Sequence, residues 1–137
     1  MRGRRDFRFR HPAESVAWEH FREQGHLLLR HNYQIQGAEI DLITLCEETL
    51  HFIEVKAYSG GDFQAGLAFG RQIRRYKRAL RHFLFEFDEA VASGADPYAD
   101  LASGRTSADF SLSIDFCGLD ETYKVDYYPN IASDEMA

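Results

Sequence analysis

The sequence is poor in cysteine, and its two cysteines, Cys46 and Cys117, show no metal-ligand spacing. They form no disulfide framework and read as ordinary reduced thiols, with at least one of them in a strand. No uncharged run approaches the roughly 18 apolar residues that a membrane-spanning helix needs, which excludes a spanning segment. The opening MRGRRDFRFRH has arginines but no apolar stretch behind them, so a secretory signal is not expected and a cytoplasmic protein is. Internal repeats and low-complexity tracts are also missing, which removes solenoid and fibrous architectures. What remains is 137 residues, of which 45% are hydrophobic and 14% aromatic, enough apolar side chain for one globular domain spanning 1–137.

Positive charge is almost absent from the second half. Residues 1–82 hold 14 Lys/Arg against 10 Asp/Glu, whereas residues 83–137 hold 2 against 12. The net charge of -6 therefore hides a chain whose halves differ in sign. Residues 71–82 (RQIRRYKRALRH) carry six basic side chains and no acid, and the basic tail of about residues 1–11 adds five arginines. Such blocks can hold phosphates despite an acidic total, although charge runs more often mark a solvated helix face and a basic terminus.

The pattern along the chain predicts an α/β domain with a mixed sheet in the order αβββαββ. Pro12 opens a helix that Gly25 stops, with Ala13, Ala17 and Phe21 forming a stripe at helical spacing. Glu14 lies on the buried side of that helix, where a carboxylate needs a reason. HLLLRHNYQI, GAEIDLITL and TLHFIEVKA read as strands, the last two forming a hairpin about Glu47-Glu48. That turn places Asp41 opposite Glu54 and Glu39 opposite Lys56, all on one face, unless the register slips by a residue. Ile73, Tyr76, Leu80, Phe83, Phe87 and Ala90 mark a second helix from Ala68 to about Ala92. Residues 93–109 read as a long surface loop or insertion, followed by two strands turning around Gly118.

A like-charge pair such as Asp41 and Glu54 opposes sheet formation, and Glu39 adds a third carboxylate. A divalent cation, Mg2+ or Mn2+, would offset this charge through the two carboxylates and a backbone carbonyl, that of Val55. Lys56 beside a metal-bound water could orient or deprotonate it, and the chemistry this suggests is phosphodiester hydrolysis. An exposed salt-bridge ladder on a solvent-facing hairpin would produce the same pattern. Ile43 and Phe52, apolar and on the same face, favour the edge of a site.

These stretches resemble a known family. "AESVAWEHFREQGHLLLRHNY", then "GAEIDLI", then "HFIEVK", and finally "YKVDYYPNIA" are together similar to the YraN-like family of small bacterial proteins, over about Glu14 to Ile131. The resemblance implies a restriction-endonuclease-like fold with a PD-(D/E)xK type of active site. It places that signature on Asp41, Glu54 and Lys56 and gives Glu14 a part in completing the metal site. Gln72-Ile73-Arg74-Arg75-Tyr76 looks like the Gln-to-Tyr motif of RecB-type nucleases, which adds Gln72 to the shell.

The function expected is a metal-dependent endonuclease acting on DNA, branched or single-stranded forms included. Arg71, Arg74, Arg75 and Arg78 would track the nucleic-acid backbone, and Glu39 would be an outer ligand. Tyr76 reads as core, and no histidine is assigned to metal. No membrane partner is expected, and the oligomeric state is left open, a homodimer included. The alternative is a catalytically inactive module of the same fold that binds nucleic acid or a protein partner.

Overall fold

The computed structural model describes Phe9, residues 11–58 and residues 73–131. Helix α1 runs over Pro12–Glu23, with the His11 ring accepting the Ala13 N–H at its start and proline in its first turn. Strands β1 (Leu27–Ile35), β2 (Ala38–Cys46) and β3 (Thr49–Ala57) follow, and then α2 (Ile73–Ser93). The short helix α3 (Tyr98–Ala102) and a 3-10 turn at Ser107–Asp109 lead to β4 (Ser111–Leu119) and β5 (Val125–Tyr128). Among the described residues, no helix is long and apolar enough to cross a membrane.

The five strands form one sheet in chain order, β1-β2-β3-β4-β5, antiparallel throughout except for the parallel pair β3 and β4. The parallel step is possible because α2 and the segment after it carry the chain back along the sheet. Each sheet face has its own core. Leu50 and Phe52 of β3 meet Tyr76, Leu80, Phe83 and Phe87 of α2, whereas Ile53 and Val55 of the same strand meet Ala13, Ala17, Trp18 and Phe21 of α1. This is the period-two alternation of a strand buried on both sides.

The hairpin register agrees with the sequence pattern from the turn outward, Cys46 opposite Thr49 through Leu42 opposite Ile53. The Glu47-Glu48 turn forms with Glu47 in left-handed backbone at φ 55. Two expectations are corrected. Gly118 does not turn the chain: it is buried inside β4 opposite Asp126. The reversal lies beyond it, where the Asp120 carboxylate accepts the backbone N–H groups of Thr122 and Lys124 at 2.8 and 2.9 Å. Here an aspartate makes the turn by folding the backbone onto its own side chain. The reading of residues 93–109 as a surface loop or insertion is corrected only in that they hold α3 and the 3-10 turn: most of them lie at the surface, with Ala102 in the α2-side core. Their many small residues hid a short helix whose few apolar positions do the anchoring.

Candidate functional site

Strand β2 loses its regular neighbours at Asp41. On the β1 side, His31 lies opposite Leu42 and Tyr33 opposite Ile40, and Asn32 between them takes left-handed backbone at φ 49. On the β3 side, the paired register ends at Leu42 and Ile53, although β2 continues to Ala38 and β3 to Ala57. Beyond that point β2 stays with β1, as far as Ala38 opposite Ile35, and β3 stays with β4, as far as Ala57 opposite Leu119. The two strands thus part like a fork. Ile40 packs in the α2-side core and Leu42 in the α1-side core, so Asp41 sits where the alternation changes face.

The parting explains how the two acids meet. Asp41 and Glu54 do not face each other as a backbone pair. Instead Asp41 Oδ2 accepts the Val55 N–H at 2.8 Å, a side chain standing in for the missing ladder bond. Both carboxylates line a cleft of about 350 Å³ in the fork. Glu39 of β2 lines it too, with Arg75 and Tyr76 of α2 opposite and Gly37 at the β1–β2 turn. The expected pairing of Glu39 with Lys56 is absent for the same reason: by Glu39 the strands have already separated.

Electrostatics in the cleft favour the neutral or ion-bound forms of its acids. Burial first, and then the charge of Glu54, push Asp41 well above the ordinary carboxylate range, against the pull of the Val55 N–H. Glu14 and Glu39 push it further. Glu54 is raised as well, mainly by burial, while the charge of Lys56 and a hydrogen bond with Asp41 work against the rise. Half-buried carboxylates sharing a site cannot all ionise cheaply. A cation, or a shared proton, resolves the conflict.

Glu14 is where the helix pattern puts it, on the buried side of α1 and 6% exposed. The Asn32 side-chain amide donates to Glu14 Oε1 at 2.9 Å and to Glu39 Oε2 at 3.1 Å, joining α1 to β2 at the cleft. The sequence pattern passed over Asn32. Its signal was an asparagine inside an apolar strand run, a residue type that tolerates the left-handed backbone better than most. Lys56 is exposed at the end of β3, two positions beyond Glu54. Arg74, Arg75 and Arg78 are exposed on α2, but Arg78 also braces the β1–β2 turn by donating to the Gln36 carbonyl at 2.9 Å. A side chain at Gly37, in left-handed backbone at φ 85, would meet the Arg78 guanidinium at 3.0 Å. Tyr76 is buried in the α2-side core and lines the cleft, so the core reading and the site location hold together. Gln72 and Arg71 lie outside the described residues.

Among the described residues, no group of three or more His, Cys, Asp or Glu side chains is gathered so as to hold a metal ion. The carboxylates that meet in the cleft are Asp41 and Glu54, with Glu39 beside them. Hard oxygen donors in that number suit Mg2+ or Mn2+, which keep several waters and take one or two protein carboxylates. On the opposite face His51 Nδ1 donates to the fully buried Asp115 at 2.7 Å, on the other side of the sheet from the cleft. That histidine belongs to the α1 side of the sheet.

Comparison with known proteins gives the chain its relatives. The family model described as "Uncharacterised protein family UPF0102" matches residues 13–103. A UPF0102 protein of Campylobacter hominis is 26% identical over 130 residues, 95% of this chain and 98% of its own length. One of Cupriavidus metallidurans is 36% identical over 68% of this chain and 71% of its own length. A third, of Pseudomonas entomophila, is 38% identical over 53% of this chain and 60% of its own. The matched span contains α1 from its second residue, the three-strand unit and α2, and with them every carboxylate of the cleft: the chain belongs to the UPF0102 family.

Proposed function

We propose that this protein is a Mg2+- or Mn2+-dependent nuclease of the restriction-endonuclease-like fold, hydrolysing phosphodiester bonds in DNA. The observation that carries the reading is the meeting of Asp41 and Glu54 in a cleft opened by the parting of β2 and β3, each held above its ordinary proton affinity. The mixed sheet with a helix on either face supports the fold assignment.

Asp41, Glu54 and the Val55 carbonyl would hold the ion, with Glu14 completing the site through its link to Asn32. When bound, the ion supplies Lewis-acid stabilisation of charge on a phosphate oxygen. The protein supplies the rest. The Val55 N–H fixes one oxygen of Asp41. Lys56, exposed beside the carboxylates, would orient the attacking water through its N–H donors. Glu39 acts from the outer part of the cleft. Arg75, at the cleft, and Arg74 beside it hold the phosphates on either side of the scissile bond. The resemblance to the Gln-to-Tyr motif adds Gln72 to the proposed shell. Branched and single-stranded DNA are the first substrates to try, since both expose a backbone that a narrow cleft can admit.

The test is nicking of duplex, branched and single-stranded DNA in Mn2+ by wild type, Asp41→Ala and Lys56→Ala. Cleavage by wild type that both variants lose supports the assignment. Equal activity in all three proteins sinks it. Salt-dependent DNA binding without cleavage or ion uptake would favour a non-catalytic module that binds nucleic acid.

A further inference from the structure

We infer that Asn32 is a positioning residue of the cleft, a neutral clip that holds Glu14 of α1 and Glu39 of β2 in place around the Asp41–Glu54 pair. This inference deepens the metal-dependent reading and rests on it.

Three observations carry it. First, one amide group serves two carboxylates from different elements, at 2.9 Å to Glu14 and 3.1 Å to Glu39. A carboxylate can only accept, so a side chain meeting both must donate twice, and the amide of asparagine does so without adding charge. A lysine or arginine there would neutralise the acids and compete with a cation for them. Second, Asn32 takes left-handed backbone at φ 49 in the middle of β1, between His31 opposite Leu42 and Tyr33 opposite Ile40. A non-glycine residue pays for this conformation, and in mid-strand the cost needs an offset; the two hydrogen bonds provide it. Third, the Asn32 carbonyl oxygen is engaged as well, lying 3.2 Å from the Nδ1 of His31, which fixes which way the amide faces. Groups that orient the acids of an ion site in this way strongly affect its affinity.

The left-handed backbone also dictates the variants. Asn32→Gly keeps φ without strain and removes the clip. Asn32→Asp keeps the shape and much of the backbone tolerance but replaces the donor with a third acceptor, except when protonated. Mn2+ binding to the full chain, followed by electron paramagnetic resonance of the free ion, reads the effect directly. Thermal melts check that each variant is folded. Asn32→Gly should weaken Mn2+ binding roughly ten- to hundredfold; Asn32→Asp, which loses the donor but adds a negative charge near the ion, should weaken it less. A merely structural role would lower melting temperatures and leave the Mn2+ affinity of the folded variants at the wild-type level. Folded variants that bind Mn2+ as tightly as wild type overturn the clip and leave the metal-dependent reading standing. A wild-type protein that takes up no Mn2+ overturns both.

Discussion

Asp41 Oδ2 accepts the backbone N–H of Val55 at 2.8 Å, so the residue that breaks the β2–β3 ladder also replaces the bond it breaks. This single contact sets one acid against the strand that carries the other. It also separates what Asp41 does for the fold, accepting a hydrogen bond, from what its charge does in the cleft.

Asp41→Asn should part those two roles. The amide oxygen still accepts the Val55 N–H, while the charge that burial and Glu54 disfavour is gone. In the presence of EDTA at pH 7 the variant should therefore be more stable than wild type by about 1 kcal/mol, a rise of roughly 4 °C in Tm. Added Mn2+ should raise the Tm of wild type and leave the variant unmoved. Calorimetric melts with and without the ion decide this, and a less stable Asp41→Asn would count against the charge conflict.

Stability should fall toward both ends of the pH scale, for different reasons. Asp41 and Glu54 bind protons more tightly in the folded chain, so their contribution is complete below about pH 4 and is lost as pH rises through their elevated folded values. On the acid side His26 leads: burial, then the charge of His51, lowers it to about 4. Its contribution is full above about pH 6.5 and disappears as pH falls toward that lowered value. Asp115 adds to the acid loss. Burial alone would raise it, but the hydrogen bonds of His51, Ser113, Tyr127 and the Asn130 N–H outweigh burial and hold it low. Melts from pH 4 to 9 in EDTA should show the dome, with Asp41→Asn flattening its alkaline side and His26→Asn its acid side.

Lys56→Ala should lower the cleavage rate in saturating Mn2+ by a hundredfold or more, the scale of a general base or its positioning partner. Mn2+ affinity should change little. Because Lys56 is exposed, the stability change should stay within about 0.5 kcal/mol. Single-turnover cleavage and ion titration of the same preparation separate the effects. A variant that cleaves normally removes Lys56 from the mechanism.

Arg75→Ala and Arg78→Ala should behave differently although both side chains are exposed on α2. Loss of Arg75, which lines the cleft, should weaken DNA binding and reduce the salt slope by about 1. Loss of Arg78 removes the bond to the Gln36 carbonyl, so a lower Tm should accompany any change in binding. Fluorescence anisotropy over a salt series, paired with melts, tests the distinction.

Much of the architecture was readable from hydrophobic spacing, because both long helices and the hairpin bury continuous apolar stripes. The register from Leu42 to Cys46 followed from the turn, and the burial of Glu14 from its place on the α1 stripe. What spacing could not reveal was the fork. Regular alternation assumes an unbroken ladder, and Asp41 breaks it by a side-chain contact that no periodicity encodes. Asn32 escaped notice for the same reason, since its role depends on a backbone angle and on partners 18 positions back and seven ahead. The turn misplaced at Gly118 had another cause: a glycine buried in a strand and a glycine in a turn look alike until packing is known.

The parting strands have one more consequence. Each side of the opening is fastened to a separate neighbour, β2 to β1 and β3 to β4, and Arg78 ties the tip of the β1–β2 side to α2. The two jaws of the gap are therefore anchored independently, so a change in the β1–β2 pairing or in the β3–β4 pairing would each move one jaw without the other.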